Sequence, residues 1–286
     1  MDPVGIDHVS DTALWVAWYR AQETERPDAA FRDHLAAKLA GERGRAMAHA
    51  MPSAKQLAFA MVVRTVAIDR LIERALALGI DTVINLGAGL DARPYRMKPP
   101  AALRWVEVDH APLIRYKNEQ LSNDTPICPV ERVACDLSCD DDRIALLGRL
   151  GRESRKAVVV TEGVIPYLTR EQAGKLSRDL FAVPSFRYWI QDYRQGTLRP
   201  PGQKRVLKKL ARAPVQFDVD DPLQFFGEHG WTVREDLHIL DVAESIGRRL
   251  PFLFPWSLLA WVMPRRIREK GNRTYGYVLW EHESGE

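Results

Sequence analysis

The stretch Thr82–Tyr95, TVINLGAGLDARPY, decides the fold. Val83, Ile84 and Leu86 form a short apolar run of β-type, which predicts a buried strand. The run breaks into Gly87-Ala88-Gly89, followed at once by Asp91 and Arg93. A strand that ends in two glycines leaves a bend whose backbone a ligand can approach closely, with no Cβ in the way. An isolated Gly-x-Gly is equally consistent with a plain strand-to-helix turn, so the surrounding stretches must decide.

Outward from this point the chain alternates. Strand-like runs are Thr82–Leu86, Leu103–Asp109, Arg132–Cys135, Ala157–Thr161, Phe186–Asp192, Trp231–Glu235 and Tyr275–Glu281, with helix-like stretches at Pro112–Leu121, Arg143–Leu150 and Arg170–Phe181. Thr169 and Gln172 have capping-box spacing ahead of the last of these. Such alternation predicts a parallel sheet covered by helices on both faces.

A rhythm of polar residues is laid over that pattern. Gly87, Asp109, Asp136 and Glu162 each end a successive apolar run, at steps of 22, 27 and 26 residues. In an open parallel sheet all such ends lie on one edge, where ligands bind. An acid about 20 residues beyond the glycines suits ribose hydroxyls, which fits Asp109. Asp136 offers an acceptor for an exocyclic amine, and Leu137 an apolar wall for a purine. Glu162 suits an ammonium.

Upstream, Val9–Ala40 reads as helical, with Leu14, Ala17, Trp18 and Ala21 at three- and four-residue steps. Trp15, Trp18 and Tyr19 make either packing surface or a lid. Gly41–Pro52 reads as a loop. Ser53 to about Leu78 reads as a long helix, with a capping-box spacing at Ser53 and Gln56 and a stop at Gly79. Its apolar stripe, Leu57, Met61, Ile68, Leu71, Ala75 and Leu78, is interrupted by Arg64. An unpaired guanidinium on such a face is costly, so Arg64 either snorkels to a nearby acid or faces a ligand carboxylate. With Arg64, the set spells carboxylate, amine, ribose and adenine: the parts of S-adenosylmethionine.

Composition narrows the classes. The 286 residues are 46% hydrophobic and 28% charged, an ordinary globular balance, and a net charge of +3 gives no indication of nucleic acid. Cys128, Cys135 and Cys139 match no zinc-ribbon spacing, and no metal site is expected. The N-terminus lacks the basic and apolar regions of a signal peptide, which fits a cytoplasmic protein with reduced thiols. Leu250–Met263 is the most apolar window, yet Pro255 interrupts it and it is short of the roughly 18 residues a membrane span needs. Flanked by Arg248, Arg249, Arg265 and Arg266, it suits a buried cap or subunit interface, or a segment lying on a membrane surface. Lys204, Arg205, Lys208, Lys209 and Arg212 read as a solvated helix face. The glycine stretch has no third Gly, although Ala92 is tolerated there, and no phosphate-binding lysine follows it, which excludes a P-loop.

At these residues the sequence resembles a known family. VINLGAGLDARPYRM (83–97), VEVDHAPLIRYK (106–117), ACDL (134–137) and TEGVIPYL (161–168) are similar to the leucine carboxyl methyltransferase-like class I methyltransferases. The stretch 9–33 resembles the bacterial branch, which includes polyketide carboxyl O-methyltransferases. The resemblance implies an α/β, Rossmann-like fold: a seven-stranded, mostly parallel sheet with an antiparallel last strand. It implies S-adenosyl-L-methionine held by Arg64, Gly87, Gly89, Asp109, Asp136 with Leu137, and Glu162. One departure stands out: where that branch often has a second arginine two places after Arg64, this chain has Val66.

The expected organisation is one methyltransferase domain over 1–286. It comprises an N-terminal helical lid (1–79), a cofactor core (80–236), a cap insertion (237–273) carrying Phe252, Phe254, Trp256 and Trp261, and a last strand with tail (274–286). The expected reaction is methyl transfer to a carboxylate or hydroxyl of a small hydrophobic metabolite, with a homo-oligomer possible. A carboxylate needs no base at neutral pH, whereas a phenol does. No residue pair declares such a base. His110 is the nearest candidate, and Tyr167 could orient a substrate oxygen. A protein C-terminal carboxyl methyltransferase, a nicotinamide-dependent oxidoreductase and a non-catalytic cofactor-binding protein are the alternatives.

Overall fold

The computed structural model describes residues 11–195, 214–251 and 274–282. The basic cluster Lys204–Arg212, the aromatics Phe252, Phe254, Trp256 and Trp261, and Arg265 and Arg266 lie outside the described residues. Three helices come first: α1 (Thr12–Thr24), α2 (Ala36–His49) and α3 (Ala54–Ala77). Then follow β1 (Thr82–Leu86), a single turn α4 (Arg93–Arg96), β2 (Arg104–Asp109), α5 (Ala111–Gln120), β3 (Val130–Ala134), α6 (Asp140–Glu153) and β4 (Ala157–Thr161). A short 3₁₀ turn (Ile165–Tyr167) leads to α7 (Arg170–Phe181), β5 (Phe186–Arg194), α8 (Pro222–Gly227), β6 (Trp231–His238), α9 (Ile239–Ser245) and β7 (Tyr275–His282).

The strands form one sheet in the order β3-β2-β1-β4-β5-β7-β6. β1 pairs in parallel with β2 on one side and β4 on the other, so the strand order reverses at the end of β1. Among the described residues only β7 runs antiparallel, between β5 and β6. Every residue of β1 and of β4 is buried, as expected for central strands covered on both faces. Alternate side chains divide the core. Val83, Trp105, Val158 and Ile190 pack under α3 and α9, whereas Ile84, Val106, Val159 and Trp189 pack against α6, α7 and α8. A third cluster joins α1 and α2 to Leu90, Ala92 and Leu113 beyond the strand ends. No helix of the described residues is long and apolar enough to cross a membrane.

Several local expectations are corrected. The helical pattern of Val9–Ala40 is two helices, separated by a buried polar knot. Arg20 pairs with Asp33 at 2.9 Å, and Thr24 Oγ1 accepts the Asp33 amide at 2.8 Å. The expected loop Gly41–Pro52 is largely helix, bent at Gly41. Gly44 there serves close packing: a Cβ on it would lie 2.6 Å from the Leu14 carbonyl oxygen. The capping box at Thr169 and Gln172 forms with both of its hydrogen bonds. The one proposed at Ser53 does not, because Ser53 turns left-handed and Gln56 donates instead to the Pro251 carbonyl, at 3.0 Å. Within the expected insertion 237–273, the described start completes β6 and forms α9, whose Val242 and Ala243 are buried against α3. Arg248 then reaches Glu23 at the end of α1, at 2.6 Å, and so is an internal tether.

Leu71, fully buried where α3 crosses the sheet, tests this packing. Leu71→Ala is expected to cost about 2–5 kcal/mol of folding stability, measured by denaturant unfolding.

Candidate active site

A cavity of about 570 Å³ lies where the strand order reverses, above the carboxyl ends of β1 to β4. Arg64, Gly87, Gly89, Asp109, Asp136, Leu137, Glu162 and Tyr167 all line it, so the residues singled out from the sequence meet in one place. α1 roofs the cavity with Thr12, Ala13, Trp15 and Val16, and α3 contributes Leu57, Met61 and Arg64.

The floor follows from the turn after β1. Gly87 has φ +68°, and a Cβ there would sit 2.4 Å from Val164 Cγ2, so both conformation and contact exclude a larger residue. Asp109 is fixed through both oxygens: Gly89 N–H donates to Oδ2 and His110 N–H to Oδ1, each at 2.7 Å. A carboxylate can accept about four hydrogen bonds, so two backbone amides leave it acceptor capacity. Asp136 stands at the exposed rim, where its Oδ1 accepts from the Ser138 amide (2.9 Å) and hydroxyl (2.7 Å). Leu113, Cys135 and Leu137 make an apolar wall beside it.

The opposite end is a network of buried charge. Arg64 Nε donates to Glu162 Oε1 at 2.9 Å, and Glu162 Oε2 lies 2.8 Å from Arg93 Nη1. Arg93 also reaches Asp91 (2.9 Å) and Asp69 (2.6 Å), and Asp69 takes two bonds from Arg96. Asn85, at the end of β1, donates to Asp91 at 2.8 Å. Burial alone would raise the Glu162 pKa, but Arg93 and Arg64 outweigh it and hold the carboxyl below its ordinary range. Burial would likewise destabilise the Arg93 cation, yet Asp91, Glu162 and Asp69 keep it firmly protonated. Arg64 thus pairs with nearby acids, as one of its two readings expects, and also lines the cavity. Val66, two places on, points into the core instead.

Near Glu162, the 3₁₀ turn presents Tyr167 to the cavity beside Trp15, Val16, Leu57 and Met61, with Gln172 and Gln216 as neutral polar groups. Burial pushes the Tyr167 phenol up, a hydrogen bond with Thr12 offsetting it only in part. Its hydroxyl therefore stays protonated at neutral pH. His110 stands at the N-terminal boundary of α5 without a side-chain capping bond, and it lines the cavity.

Sequence reasoning gave no role to Asp69, Asn85, Asp91, Arg93 or Asp192. Arg93 carried a signal: a charge two places beyond Asp91, in a stretch that must fold back over the strand ends. Asp69 carried none, because its partner lies 24 residues away.

A seven-stranded sheet with one antiparallel strand, a glycine turn at its switch point and acids at successive strand ends is the arrangement of a Rossmann-like class I methyltransferase. The profile of leucine carboxyl methyltransferase matches residues 13–181. This chain belongs to the leucine carboxyl methyltransferase family, and it is a methyltransferase. A relative from Frankia alni, provisionally named an S-adenosyl-L-methionine-dependent methyltransferase, is 32% identical over 85% of this chain and 88% of its own. One from Streptomyces avermitilis with the same provisional name is 30% identical over 83% and 87%. A solved DUF574-family protein from Streptomyces avermitilis superposes with a TM-score of 0.63 at 16% identity, covering 95% of this chain and 97% of its own. At that identity the likeness speaks for the fold.

Two outcomes test the network. Arg93→Ala leaves Asp91 without its arginine and takes one of two arginine partners from Glu162 and Asp69, and is expected to cost about 3–5 kcal/mol in denaturant unfolding. The Glu162 contribution is present above the ordinary glutamate pKa of about 4.3 and is lost as pH falls through its lowered folded value. In Glu162→Gln that share of the acid-side loss should be missing from the stability–pH curve.

Proposed function

We propose that this methyltransferase holds S-adenosyl-L-methionine in the cavity and transfers its methyl to a carboxylate or hydroxyl oxygen of a small hydrophobic metabolite. The observation that carries the reading is the Arg64–Glu162 pair, a cation and an anion side by side on the wall of the same cavity as Asp109. A zwitterionic amino-acid end matches that pair, its carboxylate at Arg64 and its ammonium at Glu162. Asp109 would take the ribose hydroxyls above Gly87 and Gly89. Asp136 and Leu137, facing Leu113, would take the adenine. The provisional names of the relatives support the same donor.

The bound donor supplies an electrophilic methyl on a sulfonium. The protein's work is then to align and to shield. Rigid placement of the reacting groups can supply a large part of the barrier reduction. Arg64, Glu162 and Asp109 are each fixed by partners of their own, so the donor's ends meet preformed geometry. Trp15, Val16, Leu57 and Met61 give an apolar wall beside the reacting groups. Tyr167, protonated, would donate a hydrogen bond to an acceptor oxygen. A deep, apolar-walled cavity roofed by α1 favours a small molecule over a protein tail. The chain would thus work as a single unit, with the N-terminal helices as its cover.

Arg64→Ala and Asp109→Ala are each expected to weaken binding of S-adenosylhomocysteine by about 1.5–3 kcal/mol, measured by titration calorimetry. Unchanged affinity in both would refute the site, and binding of NAD(H) in place of the sulfur nucleoside would refute the donor. A labelled-methyl screen against carboxylic acids and phenols then reads the acceptor, since an ester releases its label in base and an ether keeps it.

A further inference from the structure

Arg64 is gripped from a second side by a residue outside the cavity wall. Asp192 stands near the end of β5, next to the end of β4 that carries Glu162 and Gly163. Its Oδ1 accepts the Gly163 amide at 2.7 Å, and its Oδ2 lies 3.7 Å from Arg64 Nη1. Gly163 has φ +66°, and a Cβ on it would come within 3.1 Å of that same Nη1. The guanidinium therefore lies close over a bare backbone, with Glu162 at Nε and Asp192 at Nη1. Among the described residues Nε alone makes a hydrogen bond; Nη1 has the longer ion pair with Asp192, and Nη2 has neither.

An arginine beside a single carboxylate tends toward a two-bond fork, which would engage Nε together with a terminal nitrogen. Here the second oxygen of Glu162 is held by Arg93, and Asp192 draws the other side of the guanidinium away. Asp192 is largely buried, and burial pushes its carboxyl above the ordinary aspartate range, with Arg64 and the Gly163 amide offsetting this only in part. We propose that Asp192 is a positioning residue, locking the Arg64 guanidinium on Gly163 so that Nη2 is presented to the carboxylate of the methyl donor. This inference rests on the donor assignment above and adds to it a residue that does not touch the ligand.

The test separates the donor's amino-acid end from its nucleoside end. Asp192→Asn keeps an acceptor for the Gly163 amide and removes the charge. It is expected to weaken binding of S-adenosylhomocysteine by about tenfold or more, the scale of one charge-assisted hydrogen bond. Binding of methylthioadenosine, which lacks the amino-acid end, should be unchanged. Gly163→Ala, which displaces the guanidinium from the other side, should give the same split. In an Arg64→Ala background Asp192→Asn should add no further loss. Equal losses on both ligands, or full affinity for S-adenosylhomocysteine in Asp192→Asn, would overturn the proposal and leave the donor assignment standing. Failure of the unaltered protein to bind either ligand would instead overturn the donor assignment, and this inference with it.

Discussion

The structure depends on one buried guanidinium. Arg93 meets Asp69 from α3, Asp91 from the turn after β1, and Glu162 from the end of β4. Its side chain is 3% exposed, so an unmatched charge there would be intolerable, and each acid must arrive where the cation needs it. That requirement ties the long N-terminal helix to two neighbouring strand ends. It also sets the angle at which Arg64, five residues before Asp69, looks into the cavity. Stability and the shape of the cavity wall are thus decided by the same few bonds.

Much of the frame was legible. β1, β4 and α7 begin and end where the apolar runs and the Thr169 cap place them, because central strands are apolar on both faces and caps are local chemistry. The acids at strand ends converge for a topological reason: parallel strands spaced one βα unit apart must deliver their ends to one edge. What stayed hidden was long-range. Gly41–Pro52 reads as a loop until the close packing of Gly44 on Leu14 is known, and Ser53 reads as a cap until Gln56 is seen to bind Pro251. Helix α9 is too short for periodicity to declare it. Asp69 and Asp192 look like ordinary surface acids, since nothing local marks a partner 24 or 128 residues away.

The cavity shows a division of labour between rigid and chemical parts. The side that carries Asp109 and Asp136 is set by backbone: two amides fix Asp109, and an Asx turn fixes Asp136. The opposite side is set by side chains that hold one another. Backbone-held groups tolerate change in the residues around them, whereas a network of charges does not. The wall about Trp15, Leu57 and Met61 has neither constraint, which makes it the part of the cavity most open to a change of acceptor.

The position of β7 bears on how the chain is made. Among the described residues it is the last strand in sequence, yet it lies between β5 and β6, so β6 has no neighbour in the sheet until β7 is made. Glu23 of α1 likewise finds Arg248 only after 225 residues. A chain emerging from the ribosome can assemble β1 to β5 early, since those strands pair with near neighbours. Closure of the sheet waits for β7, and the last anchoring of the N-terminal cover waits for Arg248. A chain cut short before Tyr275 would expose an unpaired β5 edge, the kind of surface that chaperones and proteases recognise.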